Sequence, residues 1–104
     1  MSKLQTGKIL YTPSVTRLTE EYKAFSDFLK LSLERHKNID TDLCHEEQVQ
    51  NVEAVNTGAE VISSYKIPSD LLELAEDDQV WIVTQEEDCN GNRVSTKILW
   101  PYEY

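Results

Sequence analysis

The side chains in this sequence that could do chemistry lie close together after an apolar periodic segment: Arg35, His36, Asp40 and Asp42. A histidine beside a carboxylate can act as a general acid or base. No candidate nucleophile and no phosphate-binding loop accompanies them in the sequence. Two interpretations stay open: a small ligand-binding or catalytic site, or ion pairs that fix the junction between a helix and a loop. The second is favoured, so we expect no enzyme activity and no cofactor.

Metal ligands and a reactive cysteine are the next candidates. Residues 40–47 contain ligand types suited to zinc, but one cysteine (Cys44) and one histidine (His45) lack the paired spacing of a structural zinc site. The stretch DCNGN at 88–92 is weakly similar to a calcium loop and lacks its glutamate at the twelfth position. Cys89 follows three acidic residues, which oppose the thiolate that a nucleophile needs. We predict no metal site here, and a hairpin turn at Asn90-Gly91, where both residues tolerate positive φ.

The charge is unevenly distributed along the chain. The 104 residues carry a net charge of −9. Residues 1–37 hold seven Lys/Arg against four Asp/Glu, and residues 38–104 hold three against fifteen, giving +3 and −12. Nucleic-acid affinity rests on Lys and Arg that neutralise phosphates, so this distribution argues against direct nucleic-acid binding and for a protein partner with a basic surface. The alternative is an acidic surface that only keeps the protein soluble.

Length and composition predict a single domain over residues 1–104. The hydrophobic share of 39% and the charged share of 28% are those of an ordinary globular chain. No apolar run approaches the roughly 20 residues of a membrane-spanning helix, and no secretory signal is visible. The cytoplasm is therefore the expected compartment, and the two cysteines are expected to be free thiols.

The first half of the sequence predicts a strand and two helices. A strand is expected at 8–11, and a helix begins at Pro13 or at Thr19. The apolar spacing of three and four through 22–36 predicts a long helix, with Glu20 and Glu21 in its first turn if it begins at Thr19. Asp42 is expected to cap a second helix that buries Val49, Val52 and Val55 and ends at Gly58.

The second half predicts strands at 61–67, 80–85 and 93–100, and a short helix at 68–74. The aromatic residues Trp81, Trp100, Tyr102 and Tyr104 are expected to divide between the core and its rim. The fold class is α+β: a small single domain with a mainly antiparallel sheet of three or four strands, two main helices on one face and one short helix.

Several separated motifs resemble those of a family of short bacterial proteins encoded on plasmids, conjugative elements and phages. They are RH at 35–36, DTDL at 40–43, SSY at 63–65, VWIVT at 80–84 and ILWPYEY at 98–104. The family pattern runs RH, GDWGDL, SAY, WIITEADRS, TTIL and PEEY. The matching positions are Arg35, His36, Asp40, Asp42, Leu43, Asn51, Ala54, Gly58, Ser63, Tyr65, Trp81, Thr84, Arg93, Thr96, Pro101, Glu103 and Tyr104.

The resemblance implies an accessory protein of a mobile element, and it implies no particular activity. This chain departs from the pattern twice. Thr41 replaces the Trp-Gly pair between the two aspartates, and the last hairpin is longer, with EEDCNGN at 86–92. An elongated loop tip is where sequence variation costs least.

These observations favour a small non-enzymatic binding protein of a mobile element that acts by protein–protein interaction. Its narrowest form is an anti-defence inhibitor whose carboxylates stand in for DNA phosphates, which requires the acidic side chains to lie on one face. The alternatives are a ligand-binding protein or enzyme that uses the four-residue cluster, and a structural homodimer. The expected acidic surface consists of Glu46, Glu47, Glu53, Asp70, Glu73, Glu76, Asp77, Asp78, Glu86, Glu87 and Asp88.

Overall fold

Three helices and four strands make up the chain, as seen in a computed structural model that describes residues 4–42 and 45–104. In chain order they are β1 (Lys8–Tyr11), α1 (Pro13–Glu21), α2 (Lys23–Lys37), α3 (His45–Thr57), β2 (Val61–Lys66), β3 (Gln79–Thr84), β4 (Ser95–Leu99) and a 3-10 helix (Pro101–Glu103). The sheet order is β1-β4-β3-β2. β2–β3 and β3–β4 are antiparallel, and β1–β4 is parallel. The predicted α+β class and mainly antiparallel sheet are confirmed, while β1 makes the sheet mixed.

One face of the sheet carries the main core. Alternate residues of β2, Val61, Ser63 and Tyr65, are fully buried, as the strand alternation predicted. α1 and α2 cover this face, and their apolar side chains pack against those of all three longer strands. The core cluster consists of Val15, Leu18, Phe25, Leu29, Tyr65, Ile67, Leu71, Val80, Ile82, Ile98 and Trp100.

The helical region before residue 38 is divided in two. Pro13 occupies the first turn of α1, where its missing N–H costs nothing. Tyr22 is extended (φ −131°, ψ 109°) and separates α1 from α2. Glu20 and Glu21 therefore lie at the end of α1, and their predicted place in the first turn of the long helix is wrong. The predicted alternative start at Pro13 is confirmed.

The second predicted helix exists, but its buried stripe is different. Val49 and Val52 are 50% and 53% exposed, whereas Asn51 and Ala54 are buried. α3 lies along the edge strand β2. A side chain there that hydrogen-bonds to the backbone satisfies the unpaired groups of the edge, which a valine cannot do. The Oδ2 atom of Asp42 accepts the N–H of Lys66 in β2 (3.0 Å), and the predicted cap of α3 by Asp42 involves the chain just before His45, part of which lies outside the described residues. Leu43 and Cys44 lie outside the described residues.

The predicted helix at 68–74 is a run of turns. The N–H of Leu71 donates to Pro68 (2.9 Å) and that of Leu74 donates to Leu71 (3.1 Å), so the bonds span three residues and not four. Leu71 still reaches the core. No helix among the described residues is long and apolar enough to cross a membrane.

The hairpin loop that joins β3 to β4 is built around Asp88. Its Oδ1 accepts the N–H groups of Asn90 (2.9 Å) and Asn92 (3.0 Å), and its carbonyl accepts the N–H of Gly91 (3.0 Å). Of the two residues at the predicted turn, Gly91 has a positive φ and Asn90 does not. β4 is shorter than predicted because this loop extends through Val94. Cys89 is an exposed free thiol, as predicted.

Candidate binding surface

The four residues singled out from the sequence divide into an exposed trio and a buried histidine. Arg35 donates from Nε to Asp40 (2.9 Å) and from Nη2 to Asp42 (2.9 Å). These bonds raise the pKa of Arg35, the Asp40 bond most, and the Arg35 bond is the main cause of the lowered pKa of Asp42. The guanidinium also lies 4.9 Å from the ring centroid of Tyr65, whose hydroxyl donates to the carbonyl of Asp40 (2.7 Å). This arrangement is that of a helix-to-loop junction fixed by ion pairs.

His36 points away from this trio into the core and begins a chain of hydrogen bonds. Thr96 donates from Oγ1 to the carbonyl of Thr6 (2.7 Å). Since its one hydrogen is committed there, Thr96 accepts from Thr84 (2.7 Å), and Thr84 accepts from Nε2 of His36 (2.7 Å). The histidine therefore carries its hydrogen on Nε2, and Nδ1 accepts from the hydroxyl of Ser63 (2.7 Å).

Burial keeps the ring of His36 neutral, while the hydrogen-bond chain sets its tautomer. The ring is fully buried, and burial lowers its pKa from 6.5 to about 4, with a further lowering by the positive charge of Arg93. A neutral imidazole whose two nitrogens are both engaged does not face a substrate. Neither of the two surface concavities described below is lined by Arg35, His36, Asp40 or Asp42.

Polar side chains also cover the outer edge of β2. Asn51 donates to the carbonyl of Ile62 (2.7 Å) and accepts the N–H of Ile62 (3.4 Å). The hydroxyl of Thr41 does the same for Ser64, with both bonds at 3.0 Å, and Asp42 accepts from Lys66. These side chains replace the partner that a neighbouring strand would supply, so this edge is closed to further strands.

Arg93 is buried, with 6% of its surface exposed. Its guanidinium donates hydrogen bonds to three backbone carbonyls. Nη1 donates to Ala59 (2.7 Å) and Gln85 (3.1 Å), and Nη2 donates to Ala54 (3.1 Å). It thereby ties the end of α3 to the start of the hairpin loop. The sequence identified Arg93 only through the family resemblance, because a basic residue in a loop does not by itself indicate burial.

The acidic side chains do not form one face. Five of them (Asp70, Glu73, Glu76, Asp77 and Asp78) lie in the loop that joins β2 to β3. Glu86, Glu87 and Asp88 lie in the hairpin loop at the opposite end of these two antiparallel strands, each six residues long. Such strands separate the two groups by about 17–20 Å. Glu46, Glu47 and Glu53 are on α3.

A concave surface lies at the hairpin end of the sheet. It has a volume of about 550 Å³ and is lined by four carboxylates, those of Glu60, Glu86, Glu87 and Asp88, with Gln85 and Val94. No Lys, Arg or His side chain lies within ion-pair distance of these carboxylates among residues 4–42 and 45–104. We call this concavity, defined by these six residues, the acidic cleft.

A second concavity adjoins the cleft on the sheet face opposite α1 and α2. Its volume is about 360 Å³, and we call it the aromatic groove. The groove is lined by Glu47, Gln50, Asn51, Glu60, Ile62, Trp81 and Tyr104. The rings of Trp81 and Tyr104 meet edge to face, with centroids 5.6 Å apart, and the Tyr104 hydroxyl donates to Glu60. Glu60 belongs to both concavities, and no sequence signal marked it because it lies alone before β2.

The acidic side chains are not arranged as a metal site. Within the described part of the chain, no group of three or more His, Cys, Asp or Glu side chains is close enough to hold a metal ion. The carboxylates of the cleft therefore present separate negative charges to solvent.

Comparison of the chain with protein-family models, with curated proteins and with solved structures gives no significant match.

Proposed function

We propose that this protein is a non-enzymatic binding protein that engages a partner with a basic surface through its acidic cleft. The observation that carries the proposal is the convergence of four carboxylates on one concavity whose lining, among the described residues, includes no Lys, Arg or His. Opposite charge on a partner would speed association and set its orientation. The accessory role in a mobile element comes from the family resemblance, and an anti-defence inhibitor is its narrower form.

Mimicry of DNA is a narrower form of the same proposal, and the positions of the acidic residues support it less well. It needs carboxylates spaced along one face, whereas the two main acidic groups lie at opposite ends of the β2–β3 pair. Contact with a basic protein surface needs only one of these ends. The partner's own DNA binding, measured with and without this protein, would separate the two forms.

The test is affinity capture from the natural host at moderate salt, with matched charge variants. Glu86→Gln with Glu87→Gln removes two charges from the cleft, and Asp70→Asn with Glu73→Gln removes two from the other end. We expect one stoichiometric partner that is lost at high salt and with the cleft variant, and that is kept by the control variant. Equal loss with both variants, or no retained partner, would contradict the proposal.

A homodimer is a second candidate, and the sheet edges favour it. β1 is an edge strand, and its Lys8 N–H and the following Thr12 N–H point toward β4 (3.0 and 3.2 Å). The N–H groups of Ile9 and Tyr11 therefore face outward, where the described chain supplies no strand. Because β2 is closed, pairing of two copies would use β1. A monomeric mass by light scattering over a wide concentration range would contradict this candidate.

A further inference from the structure

The aromatic groove has the shape and chemistry of a pocket for a single side chain. Its volume of about 360 Å³ is near the lower end of the range for ligand sites. Ile62 and Trp81, on neighbouring strands, supply the sheet wall, α3 supplies Glu47 and Gln50, and Tyr104 supplies the remaining wall.

The charged groups of the groove are all acidic. Glu47 and Glu60 are its ionisable carboxylates, and neither Lys, Arg nor His lines it. Tyr104 is held in place by its bond to Glu60 and by its edge contact with Trp81, so the aromatic wall is formed before any ligand binds. An anion would be repelled here, and a purely apolar side chain would cover Glu47 and Glu60 without offering either carboxylate a hydrogen-bond donor.

We propose that the aromatic groove binds an arginine side chain of a protein partner. A guanidinium is planar, weakly hydrated and always charged, so it can stack on the Trp81 ring while its N–H groups reach the carboxylates. A lysine ammonium would keep the charge but lose the stacking and the forked donors. The inference rests on the proposed function, because a basic partner supplies the arginine, and it adds a specific contact to the general attraction of the acidic cleft.

The probe is the peptide acetyl-Gly-Arg-Gly-amide, titrated into ¹⁵N-labelled protein and followed by NMR. The same peptide with citrulline in place of arginine keeps the shape and removes the charge. The indole N–H of Trp81, which donates to Gln79 (3.3 Å), reports on the groove, and that of Trp100, buried in the core on the other face, serves as the internal control. We expect a saturable shift of the Trp81 signal with the arginine peptide only.

Isosteric variants locate the charge that matters. Glu60→Gln and Glu47→Gln should each weaken binding about two- to fivefold, the range of an exposed ion pair. Glu73→Gln removes the same charge from the loop between β2 and β3 and should leave binding unchanged. A lysine peptide should bind more weakly than the arginine peptide.

Three results would overturn the inference, and they differ in what they leave standing. An equal response to the citrulline peptide would show that the groove does not select the cation. Equal weakening by Glu60→Gln and Glu73→Gln would show diffuse attraction, which removes the arginine pocket and preserves the acidic binding surface. No shift of Trp81 would remove the pocket, while the capture experiment with the cleft variant would still decide the proposed function.

Discussion

Nε2 of His36 donates to the hydroxyl of Thr84 across 2.7 Å in the interior of the sheet. The residue that looked most like a catalytic base is thus part of the architecture. Its two ring nitrogens join α2 to β2 and β3, and the chain of hydrogen bonds continues to Thr96 and to the carbonyl of Thr6. Each member is satisfied by the next, which is the condition under which a buried polar network stabilises a fold.

Stability should fall in mildly acidic solution on account of His36. Its pKa is lowered from 6.5 to about 4, so between these values the unfolded chain binds a proton that the native state does not. The free energy of unfolding is unaffected by this proton above pH 6.5. It decreases by up to about 1.4 kcal/mol per pH unit as the pH falls from 6.5 toward 4. Urea unfolding of the wild type and of His36→Gln, whose amide can still donate to Thr84, measures this. The stability difference between them should shrink from pH 7 to pH 4, and a constant difference would contradict the prediction.

Removal of the Asn51 amide should open the edge of β2. Asn51→Ala leaves the N–H and the carbonyl of Ile62 without their partners, at an expected cost of about 1–3 kcal/mol in the free energy of unfolding. Asn56→Ala on the exposed side of α3 is the matched control and should change stability by less than about 0.5 kcal/mol. Hydrogen exchange of the Ile62 amide should accelerate in the first variant only. Unchanged exchange would show that Asn51 does not protect this edge.

Gly7 and Gly91 test backbone crowding separately from backbone conformation. Both have positive φ, +61° and +77°. A Cβ on Gly7 would lie 2.4 Å from the carbonyl oxygens of Arg93 and Val94, whereas one on Gly91 meets nothing within 4 Å. Gly91→Ala should cost only the left-handed strain of about 1–2 kcal/mol, and Gly7→Ala should cost clearly more, because it must also move β1 from β4. Thermal unfolding of both variants provides the comparison, and equal losses would refute the crowding argument.

Arg93 should not be replaceable by lysine. Its fork reaches three carbonyls at once, on Ala54, Ala59 and Gln85, and a single ammonium cannot occupy both ends of that fork. Arg93→Lys should therefore lower the free energy of unfolding by about 1–3 kcal/mol. Lys97→Arg, at an exposed position of β4, is the control.

In Arg93→Met, the pKa of His36, followed by NMR, should rise modestly, because burial and not Arg93 is the main cause of its lowering. A variant with unchanged stability and an unchanged His36 pKa would contradict this account.

The sequence predicted the positions of the helices and strands better than it predicted which of them pack or pair together. β1, β2, β3 and the long helix follow from local periodicity, as does the left-handed Gly58 after α3. The predicted burial of Val49 and Val52 on α3 is wrong, because a helix beside a sheet edge can bury an amide side chain in place of a valine. The parallel pairing of β1 and the acidic cleft depend on which distant segments meet, and no local pattern encodes that.

Several residues singled out in the sequence belong to two hydrogen-bond networks. His36, Ser63, Thr84 and Thr96 form the buried chain, and Arg35, Asp40 and Tyr65 belong to the helix-to-loop junction. These two groups of residues hold helices and strands together.

The parallel pairing of β1 with β4 has a consequence for the order of events during synthesis. Thr6 and Thr96, joined by a hydrogen bond, are 90 positions apart in the chain. Until the ribosome has translated residues 95–99, β1 has no strand to pair with, and its apolar side chains cannot reach their final contacts. Contacts between such distant residues slow folding, so we expect the sheet to close only after residues 95–99 have been made and released from the ribosome.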